Sequence, residues 1–292
     1  MAFTLQIKQK KLFGKTALDI PSLARACGFR WGSNNDFYIL QEGEQDQGTA
    51  IFYNPQRMGR GIYFDGRKAR EGYYEISYSI PTTPAEIADF ARLAREMERR
   101  LGKAELYCVE EERAFTAGEL EQGVDSFAAF SLESLHKFCG NQEYQNLILT
   151  LARWPYTLPR DKVSAWTDCA DLRDFEQTLH DMQALDVYYA KPRLLQKNDT
   201  GEIGAFYALT EECASVFPVR ADRFLNLGGM KIAEGFVQFV LYSEQRAMDG
   251  LFPYERFVEE VRGCGAQPFD GDHILIPPLT KAKLEELAGK LG

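Results

Sequence analysis

The chain has 292 residues, a net charge of −9 and six cysteines, with the apolar and charged fractions of an ordinary globular protein. That length allows one large domain or two ordinary ones and needs no metal or disulfide staple. The acidic balance disfavours a general nucleic-acid binder, because a polyanion is repelled at long range.

The first residues read as a short strand over 3–8. Lys8, Lys10, Lys11 and Lys15 follow without the apolar run of a secretory signal, and no segment is apolar for long enough to cross a bilayer. Asp19, Pro21 and Gly28 bracket a short helix with Leu23, Ala24 and Cys27 inward. Strands are expected at 37–40 and 49–53, joined by a polar loop over 41–48, and again at 62–64. In 73–80, Tyr74, Ile76, Tyr78 and Ile80 alternate with Glu75, Ser77 and Ser79, the period of a half-buried strand.

Thr83-Pro84-Ala85-Glu86 is a capping box with proline at the first helical position. The helix it opens carries Ile87, Phe90, Ala91, Ala94, Met97 and Leu101 on one face and stops at Gly102. A strand at 106–109 completes a strand–helix–strand unit. Ala170-Asp171-Leu172-Arg173-Asp174-Phe175 echoes Ala85-Glu86-Ile87-Ala88-Asp89-Phe90 and precedes a strand at 187–190. Chance recurrence of a helical pattern explains the echo better than a diverged duplication does.

Between these segments a helix is expected near 131–139 and an apolar strand over 146–154. Strands at 194–196 and 203–209 flank the turn Lys197-Asn198-Asp199-Thr200-Gly201. A long strand at 234–243, a helix at 254–262, a strand at 273–276 and a helix from Thr280 close the chain. The strict alternation of a parallel α/β fold is absent, so the fold class is α+β with mainly antiparallel sheets packed on amphipathic helices. Pro155 and Pro159 suggest lobes 1–155 and 156–292, or one continuous domain, since no linker composition separates them.

The chemistry is sparse. His136, His180 and His273 lie far apart, and Cys27, Cys108, Cys139, Cys169, Cys213 and Cys264 sit among small or apolar neighbours. That pattern fits reduced, buried thiols and no structural metal. Glu133 with His136 is half of a di-iron spacing whose other half is missing. Glu176 with His180 reads as a hydrogen-bonded pair on a helix face.

Two clusters remain. Arg57, Arg60 and Arg67 form the basic stretch of an acidic chain. Glycines flank Arg60, and together they make the anion-binding candidate. The segment fails both Gly-rich phosphate templates, and a plain turn with surface ion pairs is the simpler reading. Asp270, Asp272 and His273 could share a proton or hold a divalent ion, although Asp270-Gly271 more simply makes a turn.

Tyr53-Asn54-Pro55, Gly59-Arg60-Gly61, and Pro81-Thr82-Thr83 ahead of a helix bearing Asp89-Phe90 resemble a bacterial family described as a domain of unknown function. The resemblance covers most of the chain, Leu12-Phe13-Gly14 included. It implies a bacterial cytosolic protein and assigns no activity and no catalytic residues.

The expectation is a non-enzymatic cytoplasmic binding or regulatory protein without a cofactor. It would bind another protein or a small anionic ligand, and neither nucleic acid nor a membrane. It would use an acidic surface, with a flat or grooved patch and exposed aromatics such as Tyr63, Tyr73 or Tyr74. The alternative is an enzyme acting on a phosphorylated or anionic small molecule. Arg57 and Arg60 would then be clamps, and Asp270, Asp272 or His273 the acid–base group, with both segments lining one pocket.

Overall fold

Period-two alternation builds the N-terminal sheet. In a computed structural model, which describes residues 1–10, 14, 16–141, 147–223 and 231–292, the chain divides into two units, Met1–Leu185 and Asp186–Gly292. Leu12, Phe13, Lys11, Lys15 and Asn146 lie outside the described residues.

The first unit contains β1 (Ala2–Gln9), α1 (Ile20–Cys27), β2 (Arg30–Asn34), β3 (Leu40–Glu42), β4 (Thr49–Tyr53), β5 (Ile62–Asp65) and β6 (Tyr73–Ser79). It continues with α2 (Pro84–Leu101), β7 (Ala104–Cys108), β8 (Arg113–Phe115), α3 (Ala117–Gln122), α4 (Val124–Gly140), β9 (Ile148–Thr150), β10 (Pro155–Thr157), α5 (Arg160–Trp166) and α6 (Arg173–Ala184). The fold is α+β. Its main sheet has eight antiparallel strands in the order β3-β2-β4-β5-β6-β1-β7-β8.

β6 and β7 both pair with β1, so α2 crosses over from one side of β1 to the other. The inward face carries Leu5, Ile7, Phe52, Phe64, Ile76 and Tyr78 against Leu23 of α1, Phe90 and Met97 of α2, and Leu120 of α3. Phe90 is 2% exposed and packs edge-on to Tyr78 and Phe3 at 4.9 and 5.7 Å. A separate cluster joins Leu135, Leu149, Tyr156, Trp166, Phe175 and Leu179 around the two-stranded β9–β10 sheet.

Some local expectations shift. Residues 36–38 form a turn, and β3 starts only at Leu40. The Asn35 carboxamide accepts from Phe37 and Ile39 N–H, an alternative to sheet pairing that apolar content does not reveal. The strand expected over 146–154 pairs only at 148–150, where β10 folds back on it. β2 was not foreseen, because its sequence Arg-Trp-Gly-Ser-Asn lacks apolar alternation.

The second unit contains β11 (Tyr188–Tyr189), β12 (Arg193–Gln196), β13 (Ile203–Thr210), β14 (Ser215–Pro218), β15 (Ile232–Leu241), β16 (Arg246–Ala247), β17 (Phe252–Pro253), α7 (Tyr254–Val261), β18 (Gln267–Pro268), β19 (His273–Ile276) and α8 (Lys281–Leu291). β12 and β13 form the expected hairpin, with Gln196 opposite Ile203. One sheet runs β11-β14-β19-β18, and the other runs β12-β13-β15-β16 with β17 on β15. Phe217, Phe239 and Phe257 meet in its core, together with Leu284 and Leu287 of α8. α6 does not repeat the surroundings of α2: it packs in the β9–β10 cluster, and β11 belongs to the second unit.

Candidate functional site

The loop joining β4 to β5 meets the start of α2. Thr83 caps the helix, its hydroxyl accepting from Glu86 N–H at 3.1 Å. The reciprocal half of the expected capping box does not form. The Glu86 carboxylate turns away and accepts from Gly61 N–H at 2.6 Å and from the Thr82 hydroxyl at 2.5 Å. Another acidic group serves the helix terminus: the Glu176 carboxylate, from α6, accepts from Ala85 N–H at 3.0 Å.

The two glycines are explained by this geometry. A β carbon on Gly59 would lie 2.5 Å from Glu86 Oε2. One on Gly61 would lie 2.6 Å from Ile51 Cγ2, and its φ of +86° is itself a glycine conformation. Between them, Arg60 points inward. Its guanidinium donates to the Thr150 carbonyl at 3.2 Å, the Thr150 hydroxyl at 3.3 Å and the Pro81 carbonyl at 3.1 Å. Burial lowers the Arg60 pKa to about 10, partly offset by the Glu86 charge. Burial raises the Glu86 pKa, against the bonds from Thr82 and Gly61 and the charge of Arg60.

The same loop is tied to α6. His180 Nδ1 accepts from Met58 N–H at 3.2 Å, and Gln183 Nε2 donates to the Gly59 carbonyl at 2.9 Å. Ser131 of α4 both donates to the Thr82 carbonyl and accepts its N–H, at 2.6 and 2.7 Å. Glu176 and His180 thus bind two different backbone amides rather than each other. Arg92 pairs with the Asp89 carboxylate, which Asn54 and Arg57 also face. Of the residues that carry the family resemblance, Gly59-Arg60-Gly61 and Pro81-Thr82-Thr83 meet at one polar junction, whereas the Tyr53 hydroxyl donates to Glu42 and Phe90 lies in the apolar core.

The three arginines are not gathered. Arg57 is exposed near Asp89, whereas Arg67 lies beyond the other end of β5 and chelates Asp65 with its backbone N–H and guanidinium. Six residues, four of them in the extended β5, separate Arg60 from Arg67, about 20 Å at roughly 3.3 Å per residue.

Asp270, Asp272 and His273 are brought together in the second unit. Asp270 Oδ1 accepts from Asp272 N–H, His273 N–H and His273 Nδ1–H, each at 2.8 Å. His273 Nε2 meets the Tyr189 hydroxyl of β11 at 2.9 Å, and Arg223 pairs with Asp272. This Asp–His–Tyr chain has the polarity of a proton relay, but the Asp270 and His273 side chains are at most 1% exposed. Burial, followed by the charges of Asp270 and Asp272, pushes the Tyr189 phenol well above its ordinary range. The role of Tyr189 could not be read from sequence, because 84 positions separate it from His273.

A third feature is the outer face of the eight-stranded sheet. Register places Tyr63 opposite Ser77, and Ser77 opposite Thr4. Tyr107 faces Gln6, which faces Glu75. Tyr63 and Tyr107 are 38% and 37% exposed, and Tyr73 is half-buried on the same face. Tyr74 falls on the other parity and is 1% exposed, so the expectation that it is a surface aromatic is corrected. Its hydroxyl donates to the Thr16 carbonyl at 2.8 Å.

Fold and junction together define an α+β protein whose Gly-Arg-Gly loop encloses an internal carboxylate. The chain belongs to the family described as a domain of unknown function, DUF4299, whose model matches residues 2–287. No curated protein and no solved structure matches it.

Proposed function

We propose that this is a non-enzymatic binding or regulatory protein of the bacterial cytoplasm that docks another protein on the outer face of its eight-stranded sheet. The observation that carries the reading is the set of tyrosines on that face, Tyr63 on β5, Tyr73 on β6 and Tyr107 on β7, with Ser77, Ser79, Thr4 and Gln6 on the strands β6 and β1 that lie between β5 and β7. Tyrosine offers a large, rigid, amphipathic contact at low entropic cost, and short hydroxyl side chains adapt their hydrogen bonds around it. The buried thiols of Cys27, Cys108 and Cys139 fit a reducing compartment.

Affinity capture from the native host, quantified against variants, tests the proposal. A protein partner retained by wild type and by a Tyr242→Ser control, but lost from Tyr63→Ser/Tyr107→Ser, is the expected result. Equal retention by all three proteins would reject the face. Calorimetric binding of a phosphorylated metabolite that Arg60→Ala abolishes would favour the anionic-ligand enzyme instead.

A further inference from the structure

Cys139 lies in the last turn of α4, and Cys169 on the connection between α5 and α6. The two segments run against each other: a β carbon built on Gly140 would lie 3.9 Å from Thr167 Cγ2. His136, one helical turn before Cys139, faces the same connection. Its Nε2–H donates to the Cys169 carbonyl at 2.8 Å and stands 3.7 Å from the Cys169 sulfur. The Cys169 thiol proton points to the Trp166 carbonyl at 3.7 Å. Both sulfurs belong to the packed cluster around Trp166 and Phe175. Cys169 is half-buried, whereas Cys139 is 6% exposed.

We propose that Cys169 and Cys139 form a redox pair: a hydroperoxide oxidises Cys169, and Cys139 resolves the product into an intramolecular disulfide. In the first step the Cys169 sulfur attacks the near peroxide oxygen. The O–O bond breaks, an S–O bond forms, and the thiol proton leaves with the departing oxygen as water or an alcohol. In the second step the Cys139 sulfur displaces that oxygen from the Cys169 sulfenic acid. An S–S bond forms and water departs with the Cys139 proton. The peroxide is reduced by two electrons, which the two thiols supply.

Access sets the order of events. Burial, followed by the charge of Cys169, pushes the Cys139 thiol up to about 12, so it is a poor first nucleophile. Burial also raises the Cys169 thiol, and the charges of Asp171, Asp168 and Asp174 add to it, so its exposure, set against the 6% of Cys139, makes Cys169 the first to meet the peroxide. Cys213 and Cys264 are also half-buried and serve as internal comparisons; the Cys213 thiol donates to the neighbouring Ala214 carbonyl. The disulfide would fasten the end of α4 to the start of the segment that carries Glu176, His180 and Gln183 to the Gly59–Gly61 loop.

The test exposes the reduced full-length protein to hydrogen peroxide, blocks the remaining thiols with N-ethylmaleimide, and maps peptides without reduction. A Cys139–Cys169 linked peptide that disappears with dithiothreitol is expected, while Cys213 and Cys264 stay alkylated. In Cys139→Ser, Cys169 should instead accumulate as a dimedone-trapped sulfenic acid. The wild-type map decides the matter even if a variant folds poorly. Oxidation of Cys213 or Cys264 ahead of Cys169, or a Cys169 sulfenic acid that never links to Cys139, would overturn the pair.

Discussion

Glu86 Oε2 lies 2.6 Å from the amide nitrogen of Gly61, so the loop that presents Arg60 wraps a carboxylate of its own chain. The Gly61 N–H serves this internal carboxylate, while the Arg60 guanidinium donates to Thr150 and Pro81. Glu86→Ala would strand the Gly61 N–H and the Thr82 hydroxyl in a buried place. A loss of about 1–3 kcal/mol in chemical denaturation is expected. Gly59→Ala should also destabilise, because its methyl group meets the same carboxylate.

Glu86→Gln separates charge from shape. Burial raises the folded-state pKa of Glu86 above its ordinary 4.5. The native state therefore favours the protonated form, and its contribution to stability is fully present below the ordinary pKa. It is lost as pH rises through the raised value. The stability difference between the glutamine variant and wild type should move in favour of glutamine as pH is raised from acid to neutral. Denaturation curves across that range would show it, and a constant difference would contradict the argument.

Glu96 has the opposite sign. Hydrogen bonds from Arg99, assisted by Arg100, hold its pKa down to about 2. Its contribution is present above the ordinary carboxylate range and fades as pH falls through about 2. Glu96→Gln should cost about 1 kcal/mol at neutral pH. The difference should close in acid.

Phe90→Ala should cost about 3–5 kcal/mol, since the ring is buried against Phe3 and Tyr78 and its removal leaves a cavity. An unfolding midpoint near that of wild type would contradict the packing described for α2.

In the second unit, Tyr189→Phe removes the hydroxyl that meets His273 Nε2 at 2.9 Å. A loss of about 1–3 kcal/mol is expected for a buried imidazole nitrogen left without this bond. Asp270→Ala should cost more, because one carboxylate oxygen accepts three bonds.

The sequence by itself determined the elements whose signals are local. The period of 73–80 set the parity of β6, with Tyr74, Ile76 and Tyr78 inward, and the apolar stripe of 84–101 set the face of α2. Asp19 and Gly28 bounded α1, because caps act within a few residues. Tertiary structure decided what depends on distant partners. It sent the Glu86 carboxylate to Gly61 instead of its own cap, assigned Glu176 to the terminus of α2, and placed Tyr189 beside His273. It also divided the tyrosines, leaving Tyr63 and Tyr107 on the outer face while the other parity buried Tyr74. Local pattern records which side a residue faces relative to its neighbours in the chain. Which side is covered, and which donor meets which acceptor, depends on segments up to 124 positions apart, and that pairing exists only once the chain has folded.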